Sequence, residues 1–196
     1  MVVVTLAGVM LSSNSPDPEG EPTGVATLGA ASAPVVLIYY TDYECAACRE
    51  FVRVTLPALR QRYVDAGTLR IVVRDLDRAT DTAGIANAAR CAGEFGKYWA
   101  FQDAFVAALD SFVPRTLERM AQRAGVPLDP FTRCVASDRY APELREGRAR
   151  ARALGIVDPP AFVVIRRTQR IDRADVVTGD LQMAAFDTLI NRTRGR

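Results

Sequence analysis

The chain has 196 residues, enough for one domain with an insertion and enough to bury a core without disulfide rescue. Its 25 basic and 23 acidic residues are interspersed and leave a net charge of +2, which excludes the single-sign field of a nucleic-acid binder. Histidine is absent, which excludes His-based catalytic triads and His-ligated metals, and every basic residue except Lys97 is arginine.

Val2 to Leu11 is a short apolar run, followed by Ser12-Ser13-Asn14-Ser15 and an acidic, proline-bearing stretch to Pro22. The run is too short to span a bilayer. It has the look of the apolar part of an export signal or of an anchor remnant, but no Lys or Arg precedes it. Val9 rather than Cys follows Leu6-Ala7-Gly8, so a lipoprotein signal is excluded. Three readings stay open: an export signal without its basic start, a true start further upstream, and an unstructured tail with an apolar tip. Residues 1–24 are therefore read as an apolar segment and linker, and residues 25–192 as the folded domain.

Val35 to Tyr40 is a run of the kind that forms a buried strand, and Thr41 to Glu44 ends it. Cys45-Ala46-Ala47-Cys48 follows, and Arg49-Glu50-Phe51-Val52 opens a helix. Val52, Leu56, Leu59 and Tyr63 recur at helical spacing on its buried face, and Pro57 is expected to kink it. Asp65-Ala66-Gly67 stops the helix, and Thr68 to Val73 reads as a second strand. Strand, helix, strand predicts a parallel pair with a right-handed crossover.

The middle is helical. Thr82 to Leu109 is alanine-rich, with a break at Gly93 and Gly96 and a stripe of Tyr98, Phe101, Phe105 and Leu109 read as core. Three further helices are expected over Pro114 to Ala124, Pro130 to Ser137 and Glu143 to Leu154. Arg145 to Arg152 makes a basic face, read as solvated because acidic residues flank it. Ala161 to Arg166 is a strand, and Ile171 to Val177 its antiparallel partner after the polar turn Arg167 to Arg170. Leu181 to Ile190 is a terminal helix with Phe186 and Ile190 on one face.

Two cysteines two residues apart, set between a strand and a helix, form a pair that can cycle between dithiol and disulfide. The same four letters also serve a structural disulfide or half a zinc site. A zinc site from all four cysteines is disfavoured, because Cys91 and Cys134 lack a second CxxC spacing and no histidine is at hand. Cys91 and Cys134 as two separate buried thiols stays open. No glycine-rich phosphate loop follows a strand, so no organic cofactor is expected.

The order of elements resembles the thioredoxin superfamily, and within it the DsbA-like branch of secreted thiol-disulfide oxidoreductases. The stretches that carry the resemblance are Thr41 to Phe51 around the CxxC, Ala88 to Trp99, Phe131-Thr132-Arg133-Cys134, and Gly155 to Phe162 with Pro159-Pro160. They lie in the family's order between Leu28 and Ile190. The resemblance implies an α/β thioredoxin fold, a central mixed sheet with flanking helices. A helical insertion of about residues 80–153 would separate its βαβ half from its ββα half.

It also implies roles. Cys45, at a helix N-terminus that favours negative charge, is the expected nucleophile, and Cys48 the resolving partner. Pro160 is the cis-proline expected to face the CxxC. Tyr43, Glu44, Ala46, Ala47 and Pro159 are expected to contact substrate. A structural disulfide is implied between Cys91 and Cys134, fitting an oxidising compartment. Implied partners are cysteine-containing unfolded or secreted proteins and a quinone-linked membrane reoxidase of the DsbB or VKOR kind, with the chain a monomer in the periplasm or cell envelope. A reductase or isomerase on the same fold, and a binding protein with an inert CxxC, are the alternatives.

Two departures from the family pattern matter. The alanines at 46 and 47 donate no side-chain hydrogen bond to a Cys45 thiolate, and Asp42 and Glu44 would oppose its charge if close. This predicts a couple between about −270 and about −120 mV, less oxidising than the strongest members. Pro159 has no N–H where Thr or Val is common, so one main-chain hydrogen bond to a substrate strand is lost.

Overall fold

The computed structural model describes residues 26–76, 80–108, 116–169, 171, 174 and 176–195. The apolar run at residues 2–11, the linker and Leu109 lie outside the described residues.

Strand β2 (Val35–Thr41) is buried along its whole length. It is central, so both faces are covered and both parities must be apolar. Val35, Leu37 and Tyr39 join one core, while Val36, Ile38 and Tyr40 join a second on the opposite face. Strand β3 (Leu69–Asp75) runs parallel to β2, from Val35 opposite Leu69 to Thr41 opposite Asp75. Strand β4 (Ala161–Arg166) lies antiparallel on the other side of β2, with Ala161 opposite Tyr40. Strand β1 (Thr27–Leu28) pairs with β3, and β5 (Val176–Thr178) with β4, both antiparallel. The order is β1-β3-β2-β4-β5, a mixed five-stranded sheet.

Two strands differ from expectation. β1 is too short to show alternation, and only its pairing with Ile71 and Val72 makes it a strand. β5 starts later than Ile171, because the Ala174 N–H turns back to the Ile171 carbonyl at 3.0 Å before the strand begins. Arg170, Asp172, Arg173 and Asp175, which the expected hairpin also used, lie outside the described residues.

Helix α1, residues 46–64, connects β2 to β3. It starts as Ala46–Glu50, widens to π-type turns at Phe51–Thr55, tightens over Leu56–Leu59 and widens again at Arg60–Val64. Pro57 offers no N–H and crowds the carbonyl four residues back. The helix accommodates it with five-residue hydrogen bonds on either side, Leu56 N–H to Phe51 O and Asp65 N–H to Arg60 O, and runs on. Val52, Leu56, Leu59 and Tyr63 all face the core as their spacing requires.

The insertion comprises α2 (Thr80–Gly93), α3 (Tyr98–Ala107), α4 (Thr116–Arg123), α5 (Leu128–Ala136) and α6 (Ala141–Ala153). The break between α2 and α3 falls where Gly96 takes a φ of 67°, letting Lys97 N–H cap the Ala92 carbonyl at 3.0 Å. Tyr98, Phe101 and Phe105 are core residues. Helices α2 to α5 pack into the core on the Tyr39 face, whereas Ala151 of α6 belongs to the core on the Tyr40 face. Along α6, Arg145 and Arg152 are exposed and Glu146 pairs with Arg150, the solvated face the flanking acids suggested. Helix α7 (Met183–Arg194) closes the fold, with Phe186 and Ile190 fully buried.

Candidate functional site

β2 ends at Thr41, and the chain must turn before α1 can start. Asp42 makes that turn: its Oδ1 accepts from Glu44 N–H at 2.8 Å, and its carbonyl accepts from Cys45 N–H at 3.1 Å. Cys45 becomes the N-cap, with extended φ and ψ of −72° and 113°. Its Sγ accepts from Cys48 N–H at 3.0 Å, the bond that Ser or Asp makes at other helix starts. Cys45 and Cys48 are joined as a disulfide with Cα atoms 5.2 Å apart. Cys45 is 9% exposed and Cys48 2%, so Cys45 is the more exposed cysteine.

Around the pair, Glu44 and Ala46 are exposed and Ala47 is half-buried. Tyr43 is placed differently from expectation. Its ring is buried, edge-on to Phe105 at 5.0 Å, so the insertion and not a substrate covers the side chain. Burial pushes the Tyr43 phenol well above its ordinary pKa. What Tyr43 offers the site is its carbonyl, one of two that hold Arg49. The Arg49 guanidinium donates to the carbonyls of Glu44 at 2.9 Å and Tyr43 at 3.4 Å. Sequence reading did not single out Arg49, since nothing in a lone arginine one turn into a helix tells where its side chain goes.

The peptide bond between Pro159 and Pro160 is cis. Pro160 is buried and immediately precedes β4, whose first residue Ala161 pairs with Tyr40. It therefore stands at the same end of the sheet as the Thr41-to-Cys45 turn. Its carbonyl accepts from Gly179 N–H at 2.9 Å, which ties it to β5. Pro159 is half-buried, while Val157 and Asp158 are exposed. Beneath lies an aromatic layer in which Tyr39 sits 4.5 Å from Phe51 and 5.3 Å from Phe162, with Phe186 beyond. The Tyr39 hydroxyl is the polar group of that layer, and it donates to the Cys48 carbonyl at 3.1 Å.

The other two cysteines are also bonded. Cys91 of α2 and Cys134 of α5 form a buried disulfide with Cα atoms 5.8 Å apart. Nearby, the end of β3 carries a buried ion cluster absent from the sequence reading. Arg90 contacts Asp75 at 2.6 Å and Glu143 at 3.0 Å, with Arg90 and Asp75 side chains 3% and 1% exposed. Burial alone would lower the Arg90 pKa, but the charges of Asp75 and Glu143 and the Asp75 hydrogen bond outweigh it and keep the guanidinium charged. A cleft of about 500 Å³ opens beside the cluster. Its lining balances Arg74, Arg90, Arg139 and Arg150 against Asp75, Glu94, Glu143 and Glu146, so it carries no net charge to select an anion. No cluster of metal-ligating side chains occurs among the described residues.

Comparison with known proteins agrees with this geometry. A family model described as Thioredoxin matches residues 21–178. A Na+/H+ antiporter NhaA of Salinispora tropica is 32% identical over 139 residues, covering 69% of this chain and 21% of the antiporter. A provisionally named protein-disulfide oxidoreductase of Rickettsia prowazekii is 23% identical over 161 residues, covering 75% of this chain and 59% of that protein. The chain thus spans about a fifth of the first relative and under two thirds of the second. Among solved structures, alpha-DsbA1 of Wolbachia pipientis superposes with a TM-score of 0.74 at 21% identity, over 87% of this chain and 90% of that one.

Proposed function

This chain belongs to the thioredoxin family, and on that premise we propose that it is a thiol-disulfide oxidoreductase that donates its Cys45–Cys48 disulfide to cysteines of other proteins outside the cytoplasm. The observation that carries the reading is a disulfide at a helix N-terminus, with the more exposed cysteine at the N-cap. A substrate thiolate attacks Cys45 Sγ, the Cys45–Cys48 bond breaks, and Cys48 leaves as a thiolate that takes up a proton. A second substrate thiolate then attacks the substrate sulfur of the mixed disulfide and expels Cys45. The helix N-terminus and the Cys48 N–H favour the charge that Cys45 then carries. In sum, two electrons and two protons pass from the substrate dithiol to this protein.

Pro160 shapes the substrate side, and Glu44, Ala46, Ala47 and Pro159 form the rim over which an extended chain would lie. The dithiol returns to the disulfide by giving two electrons and two protons to a quinone-linked membrane reoxidase, and the protein works as a monomer. An oxidising compartment is supported by the second disulfide, which glutathione would work against in a cytosol. No helix among the described residues is long and apolar enough to cross a membrane. The two alanines between the cysteines favour a couple milder than the strongest oxidants, so reduction or isomerisation is the second reading.

A glutathione redox titration, read by alkylation and mass at Cys45 and Cys48, tests this. A couple toward the oxidising end, with Cys45 alkylated fast at low pH, supports donation. A couple near about −270 mV moves the protein to the reductases. An unreactive Cys45 in both states removes the oxidoreductase reading.

A further inference from the structure

We propose that Tyr39 is a positioning residue for the redox pair: its buried hydroxyl, relayed from Thr41, holds the Cys48 carbonyl and thereby tunes the balance between disulfide and dithiol. The inference rests on the oxidoreductase reading above and assigns a side chain outside the CxxC to it.

Tyr39 is 0% exposed, with its ring against Phe51 and Phe162. Phenylalanine would fill this layer equally well, and the added oxygen costs free energy to bury unless it is partnered. It has two partners. The Thr41 hydroxyl donates to it at 2.9 Å, and its own proton goes to the Cys48 carbonyl at 3.1 Å. Burial raises the phenol's pKa, so the proton stays in place at physiological pH.

The Cys48 carbonyl already accepts from Phe51 N–H, so Tyr39 is a second donor on it. That peptide's N–H belongs to Arg49, which donates to the Cys45 carbonyl at 3.2 Å. The preceding N–H, that of Cys48, donates to Cys45 Sγ. Tyr39 thus anchors from below the residue whose N–H faces the reactive sulfur. Hydrogen bonds in such a chain polarise one another. Its O–H dipole also points its positive end at the Cys48 carbonyl, in the first turn of the helix whose N-terminus carries the charge when the disulfide opens. Both effects favour the dithiol with an ionised Cys45, so both make the couple more oxidising.

The test is Tyr39→Phe in the full chain, equilibrated with glutathione. One protein disulfide and two glutathione thiols give one protein dithiol and one glutathione disulfide, a two-electron exchange. The variant is expected to favour its disulfide by about three- to tenfold over the wild type, the worth of one hydrogen bond. Cys45 alkylation should also shift to higher pH. Thr41→Val, which keeps the phenol but removes its donor, should shift both in the same direction by less. Equal equilibrium constants and superimposable alkylation profiles in a wild type that does exchange would overturn the positioning role alone. A wild type that never exchanges with glutathione would overturn the oxidoreductase reading, and this role with it. Were Tyr39→Phe not to fold, Thr41→Val decides by the same two readouts.

Discussion

At the start of α1 the Arg49 guanidinium reaches back to two carbonyls of the turn that presents Cys45. It both braces the turn and places a cation beside the helix N-terminus, where a thiolate would form. Arg49→Gln removes the charge while keeping an amide donor. The Cys45 thiol pKa is then expected to rise by about half a unit to one unit, measured by the pH dependence of alkylation. An unchanged profile would limit Arg49 to holding the loop. Pro159 acts through what it lacks. Pro159→Thr restores a main-chain N–H beside Pro160, and in a Cys48→Ala background the exchange of a cysteine peptide against glutathione on Cys45 should favour the peptide mixed disulfide about three- to tenfold more. No change would show that Pro159-Pro160 only stiffens the entry to β4.

Between elements, the Asp187 carboxylate of α7 ties that helix to the end of α1. Asp187 accepts from the Tyr63 hydroxyl at 2.8 Å and from Arg62 at 2.5 Å. The Tyr63 hydrogen bond first, then Arg62, hold its carboxyl below the usual carboxylate range. A depressed carboxylate stabilises the fold above its ordinary pKa of about 3.9 and stops doing so as pH falls through the lowered value. The Tm difference between wild type and Asp187→Asn should therefore be full near neutrality and close toward zero in strong acid. A pH-independent difference would mean that shape, not charge, matters there. The same logic of paired charge, at greater depth, ties α2 and α6 to β3 through Arg90, Asp75 and Glu143.

For the molecule as a whole, the Cys91–Cys134 bond is the longest-range covalent tie, closing a loop with a sequence separation of 43 and clamping α2 to α5. Chain-entropy reasoning assigns it about 4 kcal/mol at 25 °C. The double substitution Cys91→Ala with Cys134→Ala should lower stability by about that much in urea unfolding, while Cys45 and Cys48 keep their redox couple. A shift of the couple on the scale expected for Tyr39→Phe would instead show that the insertion is coupled to the redox pair. Tyr43 makes that question concrete, since it lies two residues before Cys45 and packs on Phe105 of the insertion.

Much of this was legible in the chain itself. Val35 to Tyr40 is apolar at both parities, so it had to be a strand covered on both faces. The spacing of Val52, Leu56, Leu59 and Tyr63 fixed the buried side of α1, and the CxxC between the two marked the site. These features are local, written within one turn or one pleat. Tyr43 shows where local reading stops: beside the CxxC it looks like a substrate contact, and only the packing of α3 buries it. Tyr39 looked like one more apolar strand residue, because its partners, the Thr41 hydroxyl two residues on and the Cys48 carbonyl beyond the turn, meet it only once the strand, turn and helix are in place. Arg90 and Asp75 are ordinary charges until folding brings them together, and Pro57 widened its helix where a kink was expected. Element type and redox motif were thus decided by short-range periodicity and spacing. The cover of Phe105 over Tyr43, the Arg90–Asp75–Glu143 cluster and the place of Pro160 at the Cys45 end of the sheet were decided by tertiary structure, because their partners come from separate strands and helices.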